Sequence, residues 1–237
     1  MVQSLRDQLL TCLPTDVGSA ILVEIVLYNV QWWMMRMVFD FFNRDRRERS
    51  GVDPSRVPPG QVVTEKWPVL HYGPVPSFDP QRWDFRIFGL VEEPVTLRYD
   101  QFIALPKTTL RCDVHCVTRW SKLDNVFEGV PFREVLKLVR LRPEAKFVMV
   151  HAEHGFTTNL PLADLDRDDV IFAYRHNGEN LTPEHGWPLR LVVPHRYFWK
   201  SAKWVRGLEF MANDRPGFWE QYGYHLRGDP WKEERYG

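Results

Sequence analysis

An α+β domain built mainly of short strands is the fold class that this sequence predicts. Residues 83–91 alternate apolar and polar side chains, as a strand with one buried face does. Residues 189–193 form a nearly continuous apolar run, which is typical of a strand buried on both faces. From Phe132 onward, apolar side chains recur at positions i, i+3, i+4 and i+7, which indicates a helix over residues 131–139.

The remaining elements are predicted from the same patterns. Prolines punctuate residues 67–76, so this stretch is expected to be an extended loop, because proline lacks an amide hydrogen and restricts the residue before it. A helical turn is predicted over residues 100–105. The tail, residues 216–237, is rich in Trp, Tyr and Arg and is expected to wrap around the domain. The other predicted strands are residues 95–99, 107–112, 146–151, 156–161, 170–174 and 204–211.

The composition is ordinary for a soluble globular protein. Lys plus Arg and Asp plus Glu both number 31, so no net charge favours nucleic acid or an anionic membrane surface as a partner. Three cysteines in 237 residues are too few for a disulfide framework. Residues 20–42 are apolar but carry interspersed charges, and the start of the chain lacks the pattern of a secretory signal. We therefore predict a cytoplasmic protein without a transmembrane span.

One domain with an N-terminal extension is the predicted organisation. Residues 43–59 are charged and contain prolines, as solvated linkers do, so residues 1–60 are assigned to an extension and linker and residues 61–237 to the domain. Two interpretations of residues 1–33 stay open. Met34 offers an alternative start, which would make these residues an appendage; otherwise they form an amphipathic helix that packs on the domain or on a partner.

Cys116 lies in the most informative stretch of the chain, DVHCVTRWS at residues 113–121. A thiol flanked by aromatic, basic and hydroxyl side chains suits a metal ligand or a nucleophile, and in either role it acts as the thiolate. Arg119 and His115 are the neighbours expected to favour loss of the thiol proton. A buried structural cysteine is the alternative, since free cysteine is among the most buried residue types.

Zinc is a second metal that this stretch suggests. Cys112 and Cys116 have a spacing found in zinc sites, and His115, His151 and His154 are further donors, but a second matched pair of ligands is missing. No P-loop, G-x-S-x-G or G-x-G-x-x-G motif is present, so neither nucleotide binding nor serine hydrolase chemistry is indicated.

Basic side chains gather in a second segment, further along the chain. His185 and Arg190 flank a Gly-Trp-Pro turn, so both can point into one pocket, and Lys200, Ser201 and Lys203 follow. Arg binds phosphate through paired hydrogen bonds, and Lys supplies a point charge. The segment therefore indicates an anion-binding pocket, with ordinary surface cations as the alternative.

These two segments resemble the molybdenum-cofactor domain of the sulfite oxidase family, and the likeness runs over residues 64–211. The family's Cys-Val-x-x-Trp-Ser element is matched at residues 116–121. Its His-Gly-x-Pro-x-Arg-x-Val-Val-Pro strand entry is matched at residues 185–194, and the following Lys-Ser-x-Lys element at residues 200–203. The resemblance is greatest to the single-domain bacterial branch, which includes the catalytic subunit of a methionine sulfoxide reductase.

The resemblance implies a fold, a cofactor and roles for individual residues. It implies mixed or largely antiparallel sheets with peripheral helices and a molybdenum-molybdopterin cofactor deep in a cleft. Cys116 is the implied protein ligand to molybdenum. Arg119 is a candidate to bind a substrate oxygen, with an ion pair to Asp113 or Asp124 as the alternative. The residues implied to bind the pterin and its phosphate are His71, Tyr72, His185, Arg190, Ser201 and Lys203.

The activity that the resemblance implies is oxygen-atom transfer to or from a small S- or N-oxide, with an external electron carrier. Val-Thr-Arg-Trp follows Cys116, where sulfite oxidases have Ala-Gly-Asn-Arg, so sulfite is not the expected substrate. Two other hypotheses stay open: a non-catalytic binding module on the same fold, and a zinc protein that uses Cys112 and Cys116. The substrate and the oligomeric state are left undetermined by the sequence.

Overall fold

Two β-sheets organise the part of the chain that the computed structural model describes, residues 51–237. In the first sheet the strand order is β1 (Val62–Val63), β5 (Trp120–Pro131), β8 (Ile171–His176) and β10 (Arg190–Val192), with β4 (Thr108–His115) paired to β5 and β9 (Glu179–Asn180) to β8. In the second sheet it is β3 (Val95–Arg98), β2 (Asp84–Gly89), β11 (Val205–Met211), β6 (Phe147–Ala152) and β7 (Thr157–Pro161).

Most neighbouring strands in these sheets run antiparallel. The β1–β5 and β2–β11 pairs are parallel, so both sheets are mixed. Short helices lie at the connections: α1 (Tyr99–Ile103), α2 (Phe132–Leu136), α3 (Leu162–Leu165) and α4 (Phe218–Gln221). The predicted α+β class, with mixed sheets and peripheral helices, is confirmed.

The main hydrophobic core draws on both sheets. Phe85 of β2 and Phe172 of β8 are fully buried in it, together with Leu191 of β10. Val192 faces the other way, into a second cluster that contains Phe198. The first sheet is therefore covered on both faces, as the apolar run at residues 189–193 predicts, and its second face is the one that meets the cavity described below.

The strand β5 is the main element that the sequence patterns did not predict. It spans Trp120–Pro131 and pairs with β1, β4 and β8, so it organises the first sheet. Asp124, inside it, has a φ of 54°, and register shifts interrupt its pairing with both β4 and β8. These irregularities, together with the buried polar side chains of Ser121 and Asn125, break the alternation of apolar and polar residues.

The packed unit extends from Ser55 to Gly237, so it includes residues that precede position 61. Val57 is buried, and the Arg56 guanidinium binds the carboxylates of Asp113 and Asp124 at 2.7 and 2.9 Å.

The apolar stretch at residues 20–42, the charged stretch up to residue 50 and the two interpretations of residues 1–33 lie outside the described residues. Within residues 51–237, no helix is long and apolar enough to cross a bilayer.

Candidate cofactor and active site

Cys116 lies directly after β4, in the turn that leads into β5. The turn is closed by backbone hydrogen bonds from the Cys116 amide to the Trp120 carbonyl (2.8 Å) and from the Arg119 amide to the Cys116 carbonyl (3.0 Å). Gln61 also donates to the Cys116 carbonyl at 3.0 Å. The Cys116 side chain is buried and lines a cavity of about 320 Å³. The turn therefore presents the thiol to a cavity and not to the main core.

The protein groups around Cys116 do not activate its thiol. Burial raises the pKa of Cys116, and this effect outweighs both the Thr118 hydroxyl, which lies 3.1 Å from Sγ, and the charge of Arg235. His115 was expected to favour the thiolate, and this expectation is wrong: burial lowers the pKa of His115 to about 4, so its ring is neutral near pH 7. A bound metal cation would deprotonate the thiol directly.

Arg190 places a buried guanidinium at the same cavity. Its Nη1 donates to the His185 carbonyl at 2.8 Å and its Nη2 to the Ser201 carbonyl at 3.0 Å. Burial lowers the pKa of Arg190 to about 9, so the group is charged at neutral pH. Within residues 51–237, no carboxylate forms an ion pair with this guanidinium, and its Nε has no hydrogen-bond partner. A buried charge without a counterion is costly, so the arrangement indicates that an anion binds here.

Lys203 adds a second cation to this part of the cavity. Its Nζ donates to the Glu184 carbonyl at 2.7 Å and lies 5.1 Å from the centre of the Trp204 ring. Burial and the charge of Arg190 lower the pKa of Lys203 to about 7. An anion bound between the two cations would stabilise the charged form of Lys203, and it would thereby offset both the burial and the repulsion from Arg190.

His185 and Ser201 complete the basic part of the cavity. The His185 ring stacks on Trp67, with ring centres 4.1 Å apart, and its Nδ1 lies 2.9 Å from the Thr182 hydroxyl. Ser201 is buried, and its Oγ accepts a hydrogen bond from the Val193 amide at 2.9 Å. Its hydroxyl hydrogen therefore remains a donor for a ligand.

His71 and Tyr72 line the cavity from the loop at residues 67–76, which is extended as predicted. The Nδ1 of His71 lies 2.9 Å from the Gly73 carbonyl. Tyr72 is half-exposed, and the centre of its ring lies 4.6 Å from that of Phe218 in α4. The loop and the tail thus meet at the rim of the cavity.

Lys200, which was predicted to belong to the anion-binding pocket, forms a buried ion pair instead. Its Nζ lies 2.5 Å from Glu220 Oε1 in α4 and donates to the carbonyl and side-chain oxygens of Asn159, both at 2.9 Å. Both charged side chains are fully buried. The ion pair uses the charge of Lys200, so this lysine is not available to an anion in the cavity.

Arg119 does not line the cavity. It has a φ of 73° in the turn after Cys116, and its guanidinium lies beside Gly60, where an added Cβ would meet Arg119 Nη1 at 2.8 Å. Asp113 and Asp124, the alternative partners considered for it, both bind Arg56. The geometry therefore gives no support to a substrate-binding role for Arg119.

The zinc hypothesis finds no ligand set in the described part of the chain. No group of three His, Cys, Asp or Glu side chains within residues 51–237 is placed to hold a metal ion. Cys112 packs against the second hydrophobic cluster, and burial raises its pKa to about 12. His151 binds Glu209 at 2.9 Å.

The aromatic side chains that the C-terminal tail places near Cys116 are the part of the site that sequence reasoning missed. Cys116 packs with Trp199, and Trp120, Trp219 and Tyr224 pack against the same cluster; we call this group the aromatic end of the cavity. Trp120 stands in the Cys-Val-x-x-Trp-Ser element and Trp199 directly precedes Lys200, whereas Trp219 and Tyr224 lie in the C-terminal tail, which no local motif relates to Cys116. The available signal was the unusual number of tryptophans, ten in the chain. We call the group formed by His185, Arg190 and Lys203 the cation end.

The two ends fit the molybdenum cofactor that the resemblance implies. The cation end has the charge and the hydrogen-bond donors to hold the phosphate of a pterin. Cys116 offers one soft sulfur ligand, which suits a redox-active metal held mainly by its own cofactor. The volume of the cavity, about 320 Å³, is within the range of small-molecule sites.

Comparison with known proteins agrees with this fit. Residues 72–219 match the family described as the oxidoreductase molybdopterin binding domain. The oxidoreductase YuiH of Bacillus subtilis is 49% identical over 198 residues, which cover 83% of this chain and 98% of the relative. The sulfite oxidase of Arabidopsis thaliana is 28% identical over 214 residues, 75% of this chain and 53% of that protein.

Two further proteins extend the comparison. The protein-methionine-sulfoxide reductase catalytic subunit MsrP of Campylobacter jejuni is 26% identical over 65% of this chain and 59% of its own length. The solved structure of the sulfane dehydrogenase SoxCD from Paracoccus pantotrophus matches with a TM-score of 0.54 and 26% identity, over 59% of this chain and 40% of that one. The chain thus spans 98% of the Bacillus relative. It spans 53% of the plant sulfite oxidase, 59% of MsrP and 40% of the SoxCD chain. It belongs to the oxidoreductase molybdopterin-binding domain family, of the sulfite oxidase type, and is a molybdenum-cofactor-dependent oxidoreductase.

Proposed function

We propose that this oxidoreductase transfers an oxygen atom to or from a small S- or N-oxide. The observation that carries the proposal is the placement of Cys116, Arg190 and Lys203 around one cavity. When bound, the molybdenum cofactor supplies the two-electron chemistry that such a transfer requires. The likeness to a methionine sulfoxide reductase subunit supports an S-oxide as the substrate.

The residues of the chain provide binding, orientation and exclusion of water. Cys116 supplies the thiolate ligand, and Arg190 and Lys203 hold the phosphate of the cofactor through charge-assisted hydrogen bonds. His185 and Ser201 add donors beside the phosphate. In the reducing direction a sulfoxide takes up two electrons and two protons and yields a sulfide and water. An external electron carrier supplies the electrons.

Replacement of Cys116 tests this proposal. Wild-type protein made in a host that synthesises molybdopterin is expected to contain nearly one molybdenum per chain and a visible charge-transfer band from the thiolate. It should also reduce a panel of sulfoxides and N-oxides with a reduced viologen dye. In Cys116→Ser we expect the band to vanish and turnover to fall by at least about a hundredfold, because the loss of a direct ligand exceeds the loss of a group that only orients one.

The matched control is Cys112→Ser, the same substitution four residues away in β4. We expect this variant to keep the molybdenum, the absorption band and the turnover, because Cys112 does not line the cavity. Wild-type protein that folds without molybdenum would contradict the proposal, as would Cys116→Ser with unchanged turnover. Zinc that is lost in Cys112→Ser would restore the zinc hypothesis. The cytoplasmic location stays a prediction, which cell fractionation can test.

A further inference from the structure

The cavity separates its positive charges from the side chains around Cys116. At the cation end, the guanidinium carbon of Arg190 lies 4.2 Å from the centre of the Phe198 ring. Phe198 also contacts Trp120 of the aromatic end, with ring centres 6.2 Å apart. The Phe198 ring therefore contacts both the Arg190 guanidinium and a ring of the aromatic end.

The aromatic end is built of rings in contact with one another. Tyr224 stacks on Trp219 with ring centres 5.2 Å apart and meets Trp199 edge-on at 5.0 Å. Trp199 is itself held by the hydrogen bond from its Nε1 to Glu220 at 2.8 Å. This wall is large, apolar and fixed in orientation.

Among the described residues, the basic side chains that line the cavity lie at the cation end or beside it. Besides the three residues of that end, His71 contacts Trp204, with ring centres 5.4 Å apart. Arg235 does not line the cavity: its Nη1 donates to the Val117 carbonyl at 2.5 Å, and its guanidinium lies 4.8 Å from the centre of the Tyr197 ring. A substrate at the aromatic end thus meets rings and not a cation.

This distribution of charge favours one chemical class of substrate. An anionic group that left water for the aromatic end would lose hydration without gaining a counterion, which is unfavourable. A neutral molecule with an apolar body would instead bury its surface against the rings.

We infer that the substrate is a neutral sulfoxide or amine N-oxide with an aromatic or bulky apolar body, and that small oxyanions are disfavoured. The inference rests on the proposed function, and it adds the charge and the body of the substrate. For a sulfoxide, the S–O bond is broken, sulfur is reduced by two electrons from the external carrier, and the oxygen leaves as water with two protons from solvent.

A pair of sulfoxides of the same shape tests the inference on the cofactor-loaded enzyme. Methyl phenyl sulfoxide and its 4-carboxy derivative differ by one negative charge far from sulfur. With reduced viologen as electron donor, we expect kcat/KM to be at least about tenfold lower for the carboxylate. Calorimetric titration with methyl phenyl sulfone, which is not reduced, is expected to show binding that sodium sulfate at the same concentration does not show.

Replacement of Trp219 tests whether the aromatic end causes this substrate preference. Trp219→Ala removes part of the aromatic wall and should raise KM for methyl phenyl sulfoxide at least about tenfold, with a smaller change in kcat. Trp231→Ala is the matched control, because Trp231 is half-exposed and does not line the cavity. Molybdenum content and circular dichroism identify a variant that fails to fold, and in that case the two wild-type measurements decide the question.

The outcomes separate this inference from the proposed function. Turnover that is equal for the two sulfoxides or faster for the carboxylate would overturn the inference and leave oxygen-atom transfer intact. Failure of the sulfone to bind would also overturn it. If the sulfone binds selectively but no sulfoxide or N-oxide is turned over, the proposed reaction is wrong and the preference of the cavity for neutral apolar molecules stands.

Discussion

Burial shifts the pKa of three groups around the cavity, and each shift opposes the charged form. The pKa of Cys116 is raised, while those of Arg190 and Lys203 are lowered to about 9 and about 7. In the proposed function, Cys116 acts as a thiolate, and Arg190 and Lys203 act as cations. The binding of a metal and an anion would reverse all three shifts, so the protein alone is electrostatically incomplete at this site.

Lys203 should make anion binding at the cation end depend on pH. Because its pKa is about 7, it is mostly charged at pH 6 and mostly neutral at pH 8. Sulfate stays a dianion over this range and can stand in for the cofactor phosphate. If sulfate binds the charged form, its affinity for cofactor-free protein should fall roughly tenfold from about pH 6 to about pH 8. Calorimetry at several pH values measures this change.

Two lysine variants test whether Lys203 causes the pH dependence of sulfate affinity. Lys203→Gln should bind sulfate more weakly and without this pH dependence. Lys107→Gln should behave as the wild type, because the Lys107 side chain is largely exposed and does not line the cavity. A wild-type affinity that is flat across the range would show that Lys203 does not contribute its charge to the anion.

The sequence motifs predicted which residues share one cavity. They did not predict which way the side chains next to those residues point. Cys116, His185 and Arg190 each stand beside a turn, and all three line the cavity. Lys200 stands in the same short segment as Lys203 but points elsewhere, because Glu220 captures it from a part of the chain that no local pattern relates to it. Arg119, three residues after Cys116, lies beside Gly60 and does not line the cavity.

At the scale of elements, the C-terminal tail forms part of the site. Helix α4 supplies Trp219 to the cavity wall and Glu220 to the buried pair with Lys200. The same carboxylate accepts the hydrogen bond from Trp199. The ion pair therefore connects α4 to the segment after β10 and orients aromatic side chains on both.

This ion pair gives a prediction on stability. Glu220→Gln keeps an acceptor for Trp199 but leaves the buried Lys200 charge unpaired, so we expect a loss of about 3 kcal/mol in the free energy of unfolding. Lys200→Met combined with Glu220→Gln removes both charges and should cost less than the sum of the two single substitutions by about 2 kcal/mol. Chemical denaturation of the four proteins completes the cycle.

A surface pair provides the reference for this cycle. Lys137 and Glu134 lie 2.6 Å apart in and beside α2, and the Lys137 side chain is largely exposed. Glu134→Gln should therefore change the free energy of unfolding by less than about 1 kcal/mol. Strict additivity of the two buried substitutions would contradict the assignment of the Lys200–Glu220 contact as a coupled ion pair.

Strand patterns predicted elements well where one face of the strand is apolar. β2, β6 and β11 follow the predicted ranges to within about two residues, since each places apolar side chains in the main core. β5 escaped prediction because it carries polar side chains into buried positions and contains register shifts. Its irregular start is where the turn of Cys116 is built, so the least predictable strand is the one that begins at the site.

At the scale of the whole molecule, the two-sided burial of the first sheet determines where the cavity can form. One face of this sheet completes the main core, and the other supports the smaller cluster with Phe198, which the cavity adjoins. Alternation along the chain predicted that residues 189–193 have two buried faces. It could not predict what covers the second face, because Trp67, Trp120 and the tail are brought there by contacts between distant segments.

Buried histidines give the molecule a pH dependence of stability. Burial lowers the pKa values of His176 and His195 from 6.5 to about 4. In the unfolded chain both histidines take up protons near pH 6.5, but in the folded protein only near pH 4. As pH falls from about 6.5 to about 4, the unfolded state therefore binds more protons and the free energy of unfolding decreases. The pKa values of Asp84 and Asp113 are lowered from 3.8. Protonation of these carboxylates therefore decreases the free energy of unfolding further, but only at lower pH.

His176 is the residue with which to test this dependence. It contacts the rings of Trp67 and Phe127, and its Nε2 lies 3.0 Å from the Asn125 side-chain oxygen, so Gln can replace it and keep a donor to that oxygen. In His176→Gln we expect the slope of unfolding free energy against pH to drop by about 1.4 kcal/mol per pH unit near pH 5, because one fewer proton is taken up. Above about pH 7.5 the two slopes should agree to within about 0.2 kcal/mol per pH unit. Urea denaturation across both ranges measures them, and parallel curves near pH 5 would show that His176 is already protonated in the folded protein.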